Sequence, residues 1–270
     1  MARTVPAMLF DLDGTLVDSV YQHVGAWHEA LTACGIPLSV WRIHRKIGMS
    51  GGLFVRGLMR ELGRELDPDV AVELRRKHAT AYAARFDGVV ALPGARELLA
   101  TLTALRAPWA IATSGGRDVA NRTLALLDIP PDVPVVTRDE VVHAKPDPDL
   151  FLAAAEKLGV AIEHSIVVGD SVWDLLAARR AGALGVGLLS GGYGYDELQS
   201  GGAYRVYEDP ATYSGISTRL EFANRIEPGW RALRRAQGDM GAARDAAPCD
   251  RSLGRGVSGA IGRPGRSPGP

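Results

Sequence analysis

The sequence predicts an α/β protein in which helices cover both faces of a parallel β-sheet, with one helical segment inserted after the first strand. Five short apolar runs each end in polar or glycine-rich residues, as buried strands commonly do. Segments with helical apolar spacing separate most of these runs, and strands that alternate with helices form parallel sheets. Residues 20–88 break the alternation, because they hold several helical patterns in succession and no clear strand.

Each element is predicted from its own pattern. The apolar runs predict strands at residues 7–10, 108–112, 133–136, 165–168 and 185–189. Helical spacing predicts core helices at residues 94–105, 117–127, 148–158 and 172–181, and inserted helices at residues 20–34, 39–47, 51–63 and 68–86. The last of these opens at Asp67-Pro68, and proline is favoured at the first position of a helix.

These elements divide the chain into three parts. We expect an α/β core at residues 1–18 and 89–225, and a helical cap domain at residues 19–88. From Gly238 onward the chain is mostly Gly, Ala, Arg, Ser and Pro without sustained periodicity, so residues 226–270 are expected to be disordered. A solvated appendage is the simpler interpretation of this basic tail, and a contact with an acidic partner is the alternative.

Composition argues against several classes of protein. With 270 residues, 46% of them hydrophobic, the chain can bury a substantial core, and its formal net charge of zero does not favour nucleic acid as a partner. No stretch approaches the ~20 apolar residues that span a membrane, and the apolar stretch near the N-terminus is too short for a signal sequence. Cys34 and Cys249 are not expected to form a disulfide. We therefore expect a soluble cytoplasmic protein without a membrane partner.

Two acids directly follow the first predicted strand. Asp11 and Asp13 are two residues apart, so in an extended segment their side chains leave the same face of the chain. Two carboxylates at the end of an apolar strand repel each other and resist desolvation unless a positive charge lies between them. This pair therefore predicts a divalent cation.

Other polar residues also follow predicted strands. They are Thr113 with Ser114 and Gly115, Lys145, and Asp170 with Asp174. Each group alone has an ordinary structural explanation as a helix cap, a surface loop or a turn. A parallel sheet, however, brings the carboxyl ends of its strands to one edge, where ligands bind. Carboxylates for attack, proton transfer and metal binding, together with a hydroxyl and an ammonium group for a dianion, predict a site for a phosphate group.

The order of these motifs resembles that of the haloacid dehalogenase superfamily. The matching segments are Asp11-Leu12-Asp13-Gly14-Thr15, Thr113-Ser114, Lys145 before Pro146-Asp147-Pro148, and Gly169-Asp170-Ser171 with Asp174. The resemblance covers about residues 5–215. The helical insertion directly after the first motif is similar to subfamily IA, the branch that contains phosphoglycolate phosphatase and beta-phosphoglucomutase. The resemblance implies a Rossmann-like core with an inserted α-helical (C1) cap.

The resemblance also implies two catalytic roles. Asp11 is expected to be the nucleophile that forms an aspartyl-phosphate, which divides one difficult displacement into two easier ones. Asp13 is expected to be the general acid and base. For that role its pKa should lie well above the ~3.9 of a free aspartate, and enclosure beside other carboxylates is expected to raise it.

The same resemblance implies a Mg²⁺ site and a phosphate site. The expected ligands of Mg²⁺ are Asp11, the backbone carbonyl of Asp13, Asp170, and Asp174 directly or through water. The expected phosphate-binding groups are the Thr113 hydroxyl, the backbone amides of Ser114 and Gly115, and the ammonium group of Lys145.

The predicted cap offers candidate substrate residues. His23 falls where the mutase also has a histidine, and residues 45–52 look like the cap loop that meets substrate in this branch. The expected substrate residues are His23, Arg45, Lys46 and Ser50. When the two cap loops are aligned on Gly48 and Ser50, the basic substrate residues of the mutase would fall at Ile47 and Gly51. This difference disfavours a sugar-phosphate mutase.

The leading hypothesis is a Mg²⁺-dependent phosphatase that acts on a small phosphorylated metabolite, such as phosphoglycolate or a sugar phosphate. The alternative is a beta-phosphoglucomutase-like phosphomutase. A dehalogenase would not need the acids Asp170 and Asp174, and a phosphonate-cleaving enzyme would need a supported cap lysine, which neither Lys46 nor Lys77 provides. A non-catalytic module that binds phosphate compounds is the least favoured reading. The sequence leaves the substrate open, as well as the choice between monomer and homodimer.

Overall fold

The computed structural model describes residues 6–63 and 67–217. Its centre is a six-stranded sheet in which all neighbouring strands are parallel, with the order β5-β4-β1-β6-β7-β8. The strands of this sheet are β1 (Ala7–Phe10), β4 (Trp109–Ala112), β5 (Val135–Val136), β6 (Ser165–Gly169), β7 (Leu184–Leu188) and β8 (Ala203–Tyr207). The predicted α/β class and the five predicted strands are therefore confirmed, with ends shifted by one or two residues.

Helices cover the sheet and form the insertion. The four helices of the insertion are α1 (Val20–Ala33), α2 (Val40–His44), α3 (Gly51–Leu62) and α4 (Pro68–Ala83). The others are α5 (Ala95–Ala104), α6 (Arg117–Leu124), α7 (Asp149–Lys157), α8 (Val172–Ala181), α9 (Tyr195–Gly201) and α10 (Pro210–Ser217). All eight predicted helices are present, and α2, α4 and α6 each end three residues earlier than predicted.

The sheet is buried because helices lie on both of its faces. All four residues of β1 are buried, and Leu9 packs with Val167 of β6 and Phe151 of α7. Strands that are covered on both faces have no face exposed to solvent, and their sequences are therefore continuously apolar. The edge strand β8 is different, because four of its five residues are exposed or half-exposed and its sequence shows no such run.

The inserted helices have an apolar cluster of their own. Trp27 and Leu31 of α1 pack with Phe54 and Leu58 of α3 and with Leu74 of α4. The insertion begins and ends at two short antiparallel strands, β2 (Val17–Asp18) and β3 (Val90–Ala91), which the sequence did not predict. Their pairing brings the two ends of the insertion together. We propose that residues 19–88 are the cap of a core at residues 1–18 and 89–225.

Some predictions concern other parts of the chain. The tail at residues 226–270 and Cys249 lie outside the described residues. Cys34 is a free cysteine. Within residues 6–63 and 67–217, no helix combines the length and the apolar character needed to cross a membrane.

Gly94 is a position where the fold requires glycine. Its φ is +75°, and a Cβ atom there would lie 2.4 Å from Cα of Ala211 in α10. Gly35 has a similar φ of +68°, but a Cβ atom there would have no heavy atom within 4 Å. The two positions therefore differ in close contact and not in backbone conformation.

We predict that Gly94→Ala destabilises the protein more than Gly35→Ala does. Both variants bear the left-handed conformation, which costs roughly 1–2 kcal/mol for a non-glycine residue. Gly94→Ala adds overpacking against backbone, which typically costs about 1–3 kcal/mol. Urea denaturation measures both free energies of unfolding. Equal losses in the two variants would contradict the prediction.

Candidate active site

Three strands and one loop bring the candidate residues together. Asp11 follows β1, Thr113 follows β4 and Asp170 follows β6, and β1 lies between the other two strands. Lys145 lies in the segment between β5 and α7. The carboxyl ends of parallel strands meet at one edge of the sheet, so residues far apart in sequence become neighbours there.

Three buried carboxylates form a cluster at this edge. Asp11, Asp170 and Asp174 each offer an oxygen atom, and these atoms all lie within 4.8 Å of one another. Burial and the neighbouring Asp174 and Asp13 raise the pKa of Asp11 to about 7, although Lys145 acts in the opposite direction. Burial, Asp174 and Asp11 also raise the pKa of Asp170 well above its ordinary range. The cluster therefore resists full ionisation unless a further positive charge is added.

Lys145 supplies the positive charge inside this cluster. Its side chain is fully buried, and its ammonium group donates to Asp11 and, over 2.8 Å, to the carbonyl oxygen of Ala112. Nζ also lies 2.9 Å from Oδ1 of Asp174. Burial alone would lower the pKa of Lys145, but Asp11 and Asp174 outweigh it and raise that pKa. Lys145 is therefore charged at neutral pH.

Asp174 is positioned by the start of helix α8. Its Oδ2 accepts hydrogen bonds from the backbone N–H of Ser171 over 3.1 Å and from the Ser171 hydroxyl over 2.5 Å. This reciprocal capping arrangement holds the first turn of the helix. It also turns the other oxygen of Asp174 towards Lys145.

Asp13 has different partners. The Ser19 hydroxyl donates to Oδ1 of Asp13 over 2.7 Å, and Nε2 of His23 lies 3.5 Å from the same oxygen. Burial would raise the pKa of Asp13, but the interactions with His23 and Ser19 outweigh it and lower that pKa. The expected upward shift of the Asp13 pKa is therefore wrong for this arrangement. Ser19, between β2 and α1, and His23 of α1 stabilise the ionised carboxylate.

His23 continues into a stack of rings in the insertion. Its Nδ1 lies 3.2 Å from Nε2 of His78, and its ring stacks on Tyr82 with 3.9 Å between centroids. Trp27 stacks on His78 at 4.1 Å. Burial and the nearby His23 hold the pKa of His78 well below its usual range, so His78 is neutral at pH 7. His78 was not among the residues predicted from the sequence, although its spacing of four from Tyr82 on a helix was a usable signal.

The turn after β4 holds the expected phosphate-binding residues. The backbone N–H of Gly115 donates to Oγ1 of Thr113 over 3.0 Å, so this amide is engaged within the turn. The buried Ser114 hydroxyl has no hydrogen-bond partner among the residues that the structure describes. Helix α6 begins only at Arg117. The turn thus presents the Ser114 hydroxyl, and not the Gly115 amide, as an unused donor.

The structure separates the expected substrate residues of the insertion. His23 and Lys46 line the cavity above the acids. The guanidinium of Arg45 pairs with Glu197 of α9 over 2.9 Å, outside the residues that line the cavity. The Ser50 hydroxyl accepts from the backbone N–H of Leu53 over 3.4 Å and caps helix α3. Arg45 and Ser50 thus have partners within the protein and do not line this cavity, and their expected contact with substrate stays a prediction.

The cavity lies between the sheet edge and the insertion and has a volume of about 190 Å³. Its core side is formed by Asp11, Asp13, Thr113, Ser114, Gly115, Gly116 and Val119. Its insertion side is formed by His23, Trp27, Lys46, Ile47, Gly48, Met49, Gly51, Phe54, Arg75 and His78. A small molecule in this cavity would therefore contact both parts of the protein.

Known proteins are similar to this chain in sequence and in fold. A model of the haloacid dehalogenase-like hydrolases matches residues 5–182. Hexitol phosphatase A of Escherichia coli K12 is 35% identical, over 64% of this chain and 78% of its own. Phosphoglycolate phosphatase of Rhodospirillum rubrum is 33% identical, over 76% and 88% of the two chains. The crystal structure of a hydrolase from Pseudomonas syringae is 54% identical, with a TM-score of 0.77, and covers 80% of this chain and 99% of its own.

We predict that Lys145→Met strongly destabilises the protein. The substitution keeps an unbranched side chain but leaves Asp11 and Asp174 buried without a counter-charge, and breaking a buried ion pair in this way costs about 3–5 kcal/mol. Lys157→Met is the matched control, because Lys157 pairs with Glu140 at the surface and its side chain is 41% exposed. An exposed pair contributes about 0–1 kcal/mol. Chemical denaturation of both variants at pH 7 tests this, and similar losses would count against it.

Proposed function

The chain belongs to the haloacid dehalogenase-like hydrolase family, and we propose that it is a Mg²⁺-dependent phosphatase of small phosphorylated metabolites. The observation that carries the proposal is the buried cluster of Asp11, Asp170 and Asp174, in which Lys145 contacts Asp11 and Asp174 and Asp11 lines the cavity. The phosphatases among its relatives support the reaction class. The small volume of the cavity, about 190 Å³, supports a small substrate.

The donor set fits a divalent cation. Three carboxylates against one ammonium group leave two negative charges when all four groups are ionised, which is the charge of one divalent ion. Mg²⁺ prefers oxygen ligands and is commonly shared between carboxylates and a phosphate. Asp11, Asp170 and Asp174 would hold it, with the backbone carbonyl of Asp13. When bound, the ion would offset negative charge on the phosphoryl oxygens.

We propose Asp11 as the nucleophile. Lys145 holds one of its oxygens, and the other lies 3.4 Å from the Thr15 hydroxyl. Asp11 attacks phosphorus, an O–P bond forms, and the bond from phosphorus to the leaving oxygen breaks. The resulting aspartyl-phosphate is then hydrolysed by water, which releases inorganic phosphate and restores the carboxylate. The hydroxyls of Thr113 and Ser114 are the proposed donors to the phosphoryl oxygens.

We propose Asp13 as the group that moves protons. In the first step it gives a proton to the leaving oxygen, and in the second it takes one from the attacking water. His23 and Ser19 lower its pKa in the free enzyme, which suits the second step. The negative charge of a bound phosphate ester raises the pKa of a neighbouring carboxyl group, which suits the first step.

A phosphomutase is the second candidate function. The observation in its favour is the contact of His23 with Asp13, since a histidine stands at this place in the mutase resemblance. A mutase would pass the phosphoryl group from Asp11 to a second hydroxyl and release no net phosphate. Conversion of a hexose 1-phosphate to its 6-phosphate without free phosphate would favour this candidate over the phosphatase.

We predict that Asp11→Asn lowers the hydrolysis of para-nitrophenyl phosphate at least about a thousandfold, because an amide cannot replace the attacking carboxylate. Asp196→Asn, an exposed change in α9, serves as the control and should retain the wild-type rate within about twofold. Release of para-nitrophenol in the presence of Mg²⁺ measures both. An Asp11→Asn enzyme of wild-type rate would exclude Asp11 as the nucleophile.

We predict that Mg²⁺ stabilises the protein more at pH 8 than at pH 5. The pKa of Asp11 is raised from 3.8 to about 7, so between these values the folded protein holds a proton that the unfolded chain has lost. The metal-free protein therefore loses stability from this group as pH rises through that window, by up to about 1.4 kcal/mol per pH unit. Mg²⁺ binds the ionised carboxylates, so protons compete with it at low pH.

Thermal unfolding with Mg²⁺ and with a chelator, at both pH values, measures this effect. The rise in Tm caused by Mg²⁺ should be larger at pH 8. Asp170→Asn should remove most of that rise, whereas Asp196→Asn should keep it. A rise of the same size at pH 5 and pH 8 would show that the ion binds elsewhere.

A further inference from the structure

The insertion side of the cavity carries positive charge that the proposed chemistry does not use. The apolar side chains of this wall are those of Trp27, Ile47, Met49 and Phe54. Two cationic side chains, Lys46 and Arg75, also line it. Both lie on the insertion, across the cavity from the acids at the end of the sheet.

The two cations differ in their partners. Lys46 forms an ion pair with Glu61 of α3, so its charge is balanced within the protein. Arg75 has neither an ion pair nor a hydrogen bond to another residue that the structure describes. The next two residues, Arg76 and Lys77, share Glu73. Arg75 therefore presents a charge that no carboxylate of the described chain neutralises.

No other charge on this wall takes the place of Arg75. His78 lines the same wall, but its lowered pKa leaves it neutral at pH 7. Among its described residues, 20–63 and 67–83, the insertion contributes no acidic side chain to the lining of the cavity. In the described part of the chain, Arg75 is thus the lining cation on this side that remains available to a ligand.

Gly51 lies next to the Arg75 side chain at the wall. A Cβ atom on Gly51 would lie 3.8 Å from Cδ of Arg75 and 3.4 Å from Cζ2 of Trp27. Both are ordinary van der Waals distances, so the ring of Trp27 and the stem of Arg75 both pack against this position. The stem of Arg75 and the ring of Trp27 therefore both lie at the start of α3, and both residues line the cavity.

Resting on the proposed phosphatase function, we propose that Arg75 is a specificity-determining residue that binds a carboxylate at the far end of the substrate. The preferred substrates are then small phosphate monoesters that also carry a carboxylate. A guanidinium presents paired N–H donors whose geometry matches a carboxylate, and one carboxylate balances its single charge.

The cavity disfavours two other classes of substrate. A second phosphate group carries more charge than one guanidinium balances, and Lys46 is already paired with Glu61. A neutral polyol would need several hydrogen-bonding partners on this wall, where Trp27, Ile47, Met49 and Phe54 offer few. The volume of about 190 Å³ is also below the ~300 Å³ at which drug-sized ligand pockets begin, so the two anionic groups must be close together.

Two substrates that differ only at the far end test the proposal. They are 2-phosphoglycolate, which ends in a carboxylate, and 2-hydroxyethyl phosphate, which ends in a neutral hydroxymethyl group. The variants are Arg75→Met, Arg75→Lys and the control Arg76→Met, whose side chain pairs with Glu73 on the same helix. The measured quantity is the ratio of kcat/KM for the first substrate to kcat/KM for the second.

The wild-type enzyme should prefer 2-phosphoglycolate, and Arg75→Met should lower the ratio about tenfold or more, the effect of losing one charge-assisted hydrogen bond. The loss should appear in KM for 2-phosphoglycolate and not in kcat, because the carboxylate is remote from the reacting phosphorus. Arg75→Lys should recover part of the ratio, and Arg76→Met should keep it.

Three outcomes would overturn the proposal. They are a wild-type enzyme without preference for the carboxylate, a larger preference for a bisphosphate, and an Arg75→Met variant that loses activity equally on both substrates. In each case normal hydrolysis of para-nitrophenyl phosphate would leave the phosphatase function standing. A wild-type enzyme that hydrolyses no phosphate ester in the presence of Mg²⁺ would instead overturn the phosphatase function and the substrate class with it.

Discussion

A buried ammonium group between two carboxylates is the interaction on which the rest of the site depends. Lys145 contacts Asp11 and Asp174, and these three residues come from the loop after β5, the end of β1 and the first turn of α8. Only the parallel order of the strands brings these segments together. The ammonium group balances one negative charge and leaves Asp170 and a second carboxylate in excess. The same arrangement that allows the acids to be buried therefore creates the demand for a cation.

Glycines allow two chain segments to lie close to the acids and to the start of α8. A Cβ atom on Gly191 would lie 1.7 Å from Oδ2 of Asp170, and a Cβ atom on Gly48 would lie 2.8 Å from the Ser171 hydroxyl. Gly48 belongs to the insertion and Ser171 to the core, so this contact closes the insertion over the acids. The neighbouring His44 adds a hydrogen bond of 2.8 Å to the carbonyl oxygen of Gly191. Glycine is needed here for space, and this need is invisible until the two segments are placed together.

The sequence predicted most of the fold because its central strands are covered on both faces and are therefore continuously apolar. It did not predict β8, because an edge strand with exposed residues lacks that pattern. The acids that face one another were also predicted, since each follows a strand end. The contacts of Arg45 and Ser50 were not predicted, because a local motif does not reveal that Arg45 will pair with Glu197 or that Ser50 will accept from the backbone of α3. Arg75 and His78 were missed for the same reason, as they reach the cavity only through the packing of α4 on α1.

The two parts of the protein divide the chemistry between them. The core holds Asp11 with Lys145, while α1 of the insertion brings His23 to Asp13. His23 and the neutral His78 are oriented with Nδ1 and Nε2 3.2 Å apart, so one of these two nitrogens donates a hydrogen bond to the other. The ring stack of Trp27, His78 and Tyr82 fixes this orientation. The insertion thus holds Asp13, the proposed proton carrier, while the core holds Asp11, the proposed nucleophile. The insertion therefore sets the ionisation of Asp13 through His23 and Ser19, whereas the contact of Asp11 with Lys145 lies within the core.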